Sequence, residues 1–268
     1  MAESPNKAEI SPNLLKQVIN PFTLGADPEF VILDKTGHQI YNAEPYGVRM
    51  KIVAGEIGHD HGGRVWELRP SASQSSYGVL VNIWRLLKSD HMKTVSDFKW
   101  KSGAIGGADT IGGHVHFGIP VLNQAQLDTL AFVTEGLEAL EILPQAESSA
   151  RRQTGRNLGQ DYGGLKSTRD SLGHIEYRAP ASWLGSPGQA LAVLTAYKLA
   201  ATEPLSVTWP KSKFLKGEFE KWVAEMSTKD VDAFLLNSLI EKRGFDSLQV
   251  DPQSDFKPQW RKEELWQK

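Results

Sequence analysis

Cysteine is absent from all 268 residues. That excludes disulfides, thiolate zinc sites and cysteine nucleophiles, and it fits a cytoplasmic protein. Long apolar runs are missing too. No stretch approaches the ~20 apolar residues that span a bilayer, and the opening MAESPNKAEISPNLLKQ has no apolar core of a signal peptide. A soluble chain without a membrane partner is expected. Net charge is small, −2, with no long basic run, so no large nucleic-acid surface is indicated. Internal repeats and low-complexity tracts are also lacking.

What is present is ordinary in bulk: 40% hydrophobic and 23% charged residues, as in a globular protein. The length allows one large domain or two small ones. A polar lead covers 1–20, with a short helix over 14–19. A main body covers 21–205, and a helical segment rich in Lys, Glu, Trp and Phe covers 206–268, packed on the core or used in assembly.

Apolar spacing of three and four predicts helices over 77–87, over 126–143 up to Pro144, and over 188–203 up to Pro204. Phe30-Val31-Ile32-Leu33 reads as a buried strand, and Asp34-Lys35-Thr36-Gly37 as a hairpin turn into Gln39-Ile40-Tyr41. Val65-Trp66-Glu67-Leu68 is a further strand, and glycine-punctuated strands lie around 112–119 and 174–179. Strands interspersed with helices predict an α+β fold.

The informative residues come as four pairs at spacing two: Asp27/Glu29, Glu67/Arg69, His114/His116 and Glu176/Arg178. In a strand, positions i and i+2 share a face. Any one such pair is what an ordinary half-exposed strand shows. Four built from Asp, Glu, His and Arg, with Gly25, Gly112, Gly113 and Gly118 beside them, point to a site. Converging carboxylates ~4 Å apart repel by about 4 kcal/mol at an effective dielectric near 20, so such a site needs cations or protons. Oxygen donors suit Mg²⁺, and a histidine among them is better tolerated by Mn²⁺. Arginines on the same face would bind phosphate through forked hydrogen bonds. That inventory suits phosphoryl transfer.

Arg151, Arg152, Arg156, Tyr162, Gly163, Gly164, Lys166 and Arg169 form a basic, glycine-rich loop that could cover an anion or simply be solvated. Asp60, on a turn seven residues before Glu67, is a further candidate ligand. His59 and His61 read as loop residues. Trp66, Trp84 and Trp183 read as core. The glycine-rich stretch 103–113 lacks the GK[ST] ending of a P-loop.

GADPEF, WELRP, GGHVHFG and IEYRAP, in that order, resemble the phage-type COOH–NH2 ligases, or type 2 amidoligases, of the glutamine synthetase-like carboxylate–amine ligase superfamily. The resemblance covers residues 22–184. It implies a curved antiparallel sheet with helices on its convex side and, on the concave face, ATP and divalent ions, Mg²⁺ or Mn²⁺. It makes Asp27, Glu29, Glu67, His114 and Glu176 metal ligands, with Asp60 a companion. His116, Arg151, Tyr162 and Lys166 would lie near the nucleotide. Arg178, Arg69, Arg152 and Arg169 would serve the transferred phosphoryl group and substrate. Asp27 stands where the superfamily often has Glu, and His174 precedes Ile175 where a His-Gly order is usual.

The chemistry implied is formation of an acyl phosphate from a substrate carboxylate and ATP, then its displacement by an amine to give an amide or isopeptide bond. Substrates would be small molecules or peptides. A homo-oligomer is compatible with the sequence, as is a host-cytoplasm location for a phage-encoded chain. Two other readings stay open: a catalytically silent phage assembly protein on the same scaffold, and a metal-dependent hydrolase built on His114 and His116.

Overall fold

A computed structural model of the chain describes residues 22–48, 54–103, 105–106, 109–118, 124–143, 165–166, 175–202, 216–252 and 254–261. The lead over 1–20 and its helix, and the loop residues Arg151, Arg152, Arg156, Tyr162 and Arg169, lie outside the described residues.

The first strand, β1 (Leu24–Leu33), organises the molecule. Leu24, Ala26, Phe30 and Ile32 alternate with Gly25, Asp27, Glu29 and Val31, so one face is apolar and the other carries the carboxylates. After β1 come β2 (Glu56–Asp60), β3 (Val65–Arg69), helix α1 (Ser76–Leu87), helix α2 (Asp90–Thr94), β4 (Lys99–Lys101), β5 (Ile105–Gly106), β6 (Asp109–Thr110) and β7 (Gly113–Phe117). Then follow α3 (Gln124–Ala139), β8 (Leu165–Lys166), β9 (Ile175–Tyr177), α4 (Pro187–Thr202), α5 (Lys216–Met226), α6 (Val231–Arg243) and α7 (Lys257–Arg261).

Among the described residues, seven strands form one open sheet, ordered β2-β3-β1-β7-β9-β8, with β4 adding to the end of β1. Every pairing is antiparallel. β5 and β6 form a separate ribbon. The α+β expectation holds.

Helices cover the apolar face. α1 lies against β1 and β3, and α4 contacts α1, α3 and α6. The α4 sequence PGQALAVLTAYKLAAT is apolar or small nearly all round, and every residue from Pro187 to Ala201 is buried. A helix of that kind belongs at the centre of a helical layer. Its one cation, Lys198, is met there by Asp230 and Asp232, each at 2.6 Å from Nζ. Asp232 also accepts the backbone N–H groups of Ser76 and Tyr77 at 2.8 and 3.2 Å, satisfying donors at the start of α1. Phe256, just before α7, packs edge-on against Phe30 with ring centres 5.7 Å apart.

Several local expectations change. The helix read over 126–143 ends at Ala139: Glu141 takes a left-handed φ of 58°, and the N–H groups of Ile142 and Leu143 return to the Leu137 carbonyl. Leu140, Ile142 and Leu143 stay buried, so apolar spacing continues past the helix end. The strand read at Gln39-Ile40-Tyr41 is a single bridge, Leu33 to Gln39. There the Gln39 side chain turns inward to the Arg64 carbonyl and to Asp109. Asp60 is not on a turn but ends β2, paired with Val65. His59 is not a loop residue; it is buried beside Trp66, and neither ring nitrogen has a hydrogen-bond partner among the described residues. Trp66 and Trp183 are core, as read.

Candidate active site

Strand register builds the site. Asp27 sits opposite His114, Gly25 opposite His116 and Glu29 opposite Glu67. His116 in turn faces Glu176, and Glu176 faces Lys166. Directly paired positions share a face, and alternation along each strand keeps the spacing-two partner there. The ladder therefore gathers Asp27, Glu29, Glu67, Arg69, His114, His116 and Glu176 on the side away from the helices. Lys166 occupies a register position on the same face.

Asp27, Glu29, Glu67, Arg69, His114, His116 and Glu176 line a cavity of about 520 Å³, together with Asp60, Arg178 and a small neutral wall of Thr23, Ala54, Pro70, Ala72 and Gly118. In the sequence the neutral wall has no signature beyond the glycines of GGHVHFG. Asp60 is exposed at the rim. At the Glu29 end, Val31, Val65 and Ile111 form a separate buried apolar cluster, which keeps that end of the face dry.

Glycines let the strands close on one another. A Cβ on Gly113 would lie 2.5 Å from the Trp183 ring, whose Nε1 donates to the Gly113 carbonyl at 2.8 Å. On Gly25 it would lie 3.3 Å from the His116 Cβ, tighter than ordinary contact. The Gly112 N–H donates to Glu29 Oε2 at 2.6 Å, so Glu29 also holds the chain entering β7.

Asp27 is the hub. Its Oδ1 lies 3.1 Å from His114 Nδ1 and its Oδ2 3.2 Å from His116 Nε2. His114 Nδ1 is also 3.4 Å from Glu176 Oε1. Burial alone would raise the Asp27 pKa, but His114 and His116 hold it well below the usual carboxylate range. The His116 pKa is raised: burial opposes its charge, and Asp27 and Glu176 outweigh burial. Glu67 is pushed up to about 9, first by burial and then by the Asp27 charge, with the Arg69 fork only partly offsetting them. That fork joins Arg69 Nε to Glu67 Oε1 at 2.9 Å and a terminal nitrogen to Oε2 at 3.3 Å. Arg178 Nε stands 3.6 Å from Glu176 Oε1.

The donor set fits a divalent cation. Asp27, His116 and Glu176 each offer an atom within 4.8 Å of the others. Asp27 Oδ1 is buried without a well-aligned hydrogen bond. Carboxylate oxygens with imidazole suit Mg²⁺ or Mn²⁺. The geometry admits His116 beside His114 as a ligand, although the sequence resemblance sets His116 nearer the nucleotide.

A cleft of paired acids, histidines and arginines on an open antiparallel sheet defines an α+β protein with a densely charged cavity. The chain belongs to the phage phiEco32-like COOH.NH2 ligase-type 2 family, whose model matches residues 24–223. Among curated proteins no match is found.

Solved structures resemble it at low identity. The complex of the prokaryotic ubiquitin-like protein Pup with its ligase PafA gives a TM-score of 0.45 at 10% identity, over 88% of this chain and 66% of that one. A glutamine synthase homolog gives 0.40 at 16%, over 91% and 70%. Ligand-free GmaS gives 0.40 at 11%, over 88% and 67%. The chain thus spans just under two thirds of the first of these. Among the described residues, no helix is long and apolar enough to cross a membrane.

Proposed function

We propose that the chain is an ATP- and Mg²⁺- or Mn²⁺-dependent ligase that joins a small-molecule or peptide carboxylate to an amine through an acyl phosphate. The observation that supports this most is the convergence of Asp27, His114, His116 and Glu176 within hydrogen-bonding range, flanked by Arg69 and Arg178. The acids and histidines are the metal shell in this reading, with Glu29 and Glu67 beside them and Asp60 at the rim. A bound divalent ion would neutralise phosphate charge and polarise its oxygens.

In the first step a carboxylate oxygen attacks the γ-phosphorus of ATP, and the bond to the ADP oxygen breaks. In the second the amine lone pair attacks the acyl carbon, phosphate departs with the C–O electron pair, and the amine loses a proton. Arg178 and Arg69 are the protein's cations for the transferred group, a task for which a planar fork of donors is suited. Arg152, Arg169, Arg151, Tyr162 and Lys166 would complete the substrate and nucleotide side.

The test is ADP and phosphate release as a function of metal, carboxylate and amine, with Glu176→Gln as the silent control. Turnover must need all three and vanish in the variant. ATP hydrolysis indifferent to both substrates would point to another activity.

A further inference from the structure

Arg69 holds both oxygens of Glu67, and Glu67 belongs to the crowd of acids around Asp27. The two residues sit two apart on β3, so the fork closes along one strand and leaves the half-exposed guanidinium facing the cavity. A forked pair spends two of the five N–H donors and one lone pair on each carboxylate oxygen. A divalent ion that takes Glu67 as a ligand draws off its negative charge and repels the guanidinium beside it, so it weakens both of those contacts.

We propose that Arg69 is a metal-released anion clamp: cation binding at Glu67 frees its guanidinium for an anionic oxygen of the substrate or nucleotide. This rests on the metal-dependent ligase reading and adds an order to it. The cation and Arg69 compete for one carboxylate, so cation and anion help each other to bind. Linkage makes that help reciprocal: an anion that draws Arg69 away tightens the cation by the same factor. A residue that merely oriented Glu67 would act in the opposite sense, because its loss would loosen the ligand and weaken the metal.

Mn²⁺ binding to the full chain, followed by electron paramagnetic resonance with and without inorganic phosphate, separates the two. Arg69→Ala should bind Mn²⁺ alone more tightly than wild type, on the order of fivefold, the worth of a half-exposed forked pair. Phosphate should tighten Mn²⁺ in wild type and tighten it several-fold less in the variant, where the ion alone attracts the phosphate. Arg69→Met, which keeps the apolar stem, should behave as Arg69→Ala does and guards against a folding defect in the smaller variant. Equal or weaker Mn²⁺ binding by both variants, with wild-type binding intact, overturns the clamp and leaves the ligase reading standing. Failure of the wild-type chain to bind Mn²⁺ removes the metal-dependent reading and the clamp together.

Discussion

The indole N–H of Trp183 donates to the carbonyl of Gly113 at 2.8 Å, one residue before His114. Both partners are buried, and the Gly113 N–H returns to the Pro180 carbonyl at 3.0 Å. The segment after β9 therefore clamps the start of β7, one residue before His114.

Trp183→Phe keeps a large apolar ring but leaves the Gly113 carbonyl without that donor. The loss should cost about 1–3 kcal/mol of stability, the range for a buried polar group left unsatisfied. Urea denaturation measures it. Weakened Mn²⁺ binding should accompany the loss if the clamp positions His114, and unchanged binding would show that β7 holds its place without the clamp.

Asp27 contacts both histidines and belongs to the cluster that fits a cation. Asp27→Asn retains shape and removes charge. Mn²⁺ affinity should fall by at least about tenfold, as it does when even outer partners of a metal ligand are removed. Titration calorimetry reads this directly, and a variant that binds as wild type does would move the cation site elsewhere.

In chelator, stability should decline as pH rises. Burial and the Asp27 charge push Glu67 up to about 9 in the folded chain against 4.5, outweighing the Arg69 fork, so between those values the folded state keeps a proton that the unfolded state gives up. The slope is then negative, at most about 1.4 kcal/mol per pH unit. His116 acts in the same sense: its raised pKa favours the fold below 6.5, and that gain fades as pH passes the folded value. Asp27 acts oppositely, contributing above 3.8 and failing only in acid. Melts at about pH 6 and 8, with and without Mg²⁺, test this. Mg²⁺ should lift the curve more at the higher pH, because there it displaces fewer protons.

Lys198→Met should be costly. It strands Asp230 and Asp232 without their cation, and Asp232 is fully buried. Breaking one side of a buried ion pair typically costs about 3–5 kcal/mol. Replacing Lys198, Asp230 and Asp232 together by apolar and amide residues should recover part of that loss, measured by the same melts.

The site was legible because strand spacing is so regular. Pairs such as Glu67/Arg69 announce a shared face from sequence alone, and the register then brings the pairs together. The same regularity misled at 126–143, where Leu140, Ile142 and Leu143 stay apolar because they are buried, although the helix ends at Ala139. β2 was hidden because Gly58 and the glycines at 62 and 63 read as loop, whereas pairing with β3 supplies what propensity lacks. Contacts such as Asp232 with Ser76 leave no local trace in the sequence. They depend on where distant helices dock.

That last contact spans 156 residues, and Phe256 reaches back to Phe30 on the strand that bears Asp27 and Glu29. Closures over such distances must be made against the full entropy of the intervening chain. The carboxylate strand is backed by α1 and, at Phe30, by Phe256 from far along the chain, and Asp232 ties α1 itself to α6. A nick or deletion near residue 232 should therefore loosen the helix behind the carboxylate strand, and with it a cavity lined by none of the residues removed.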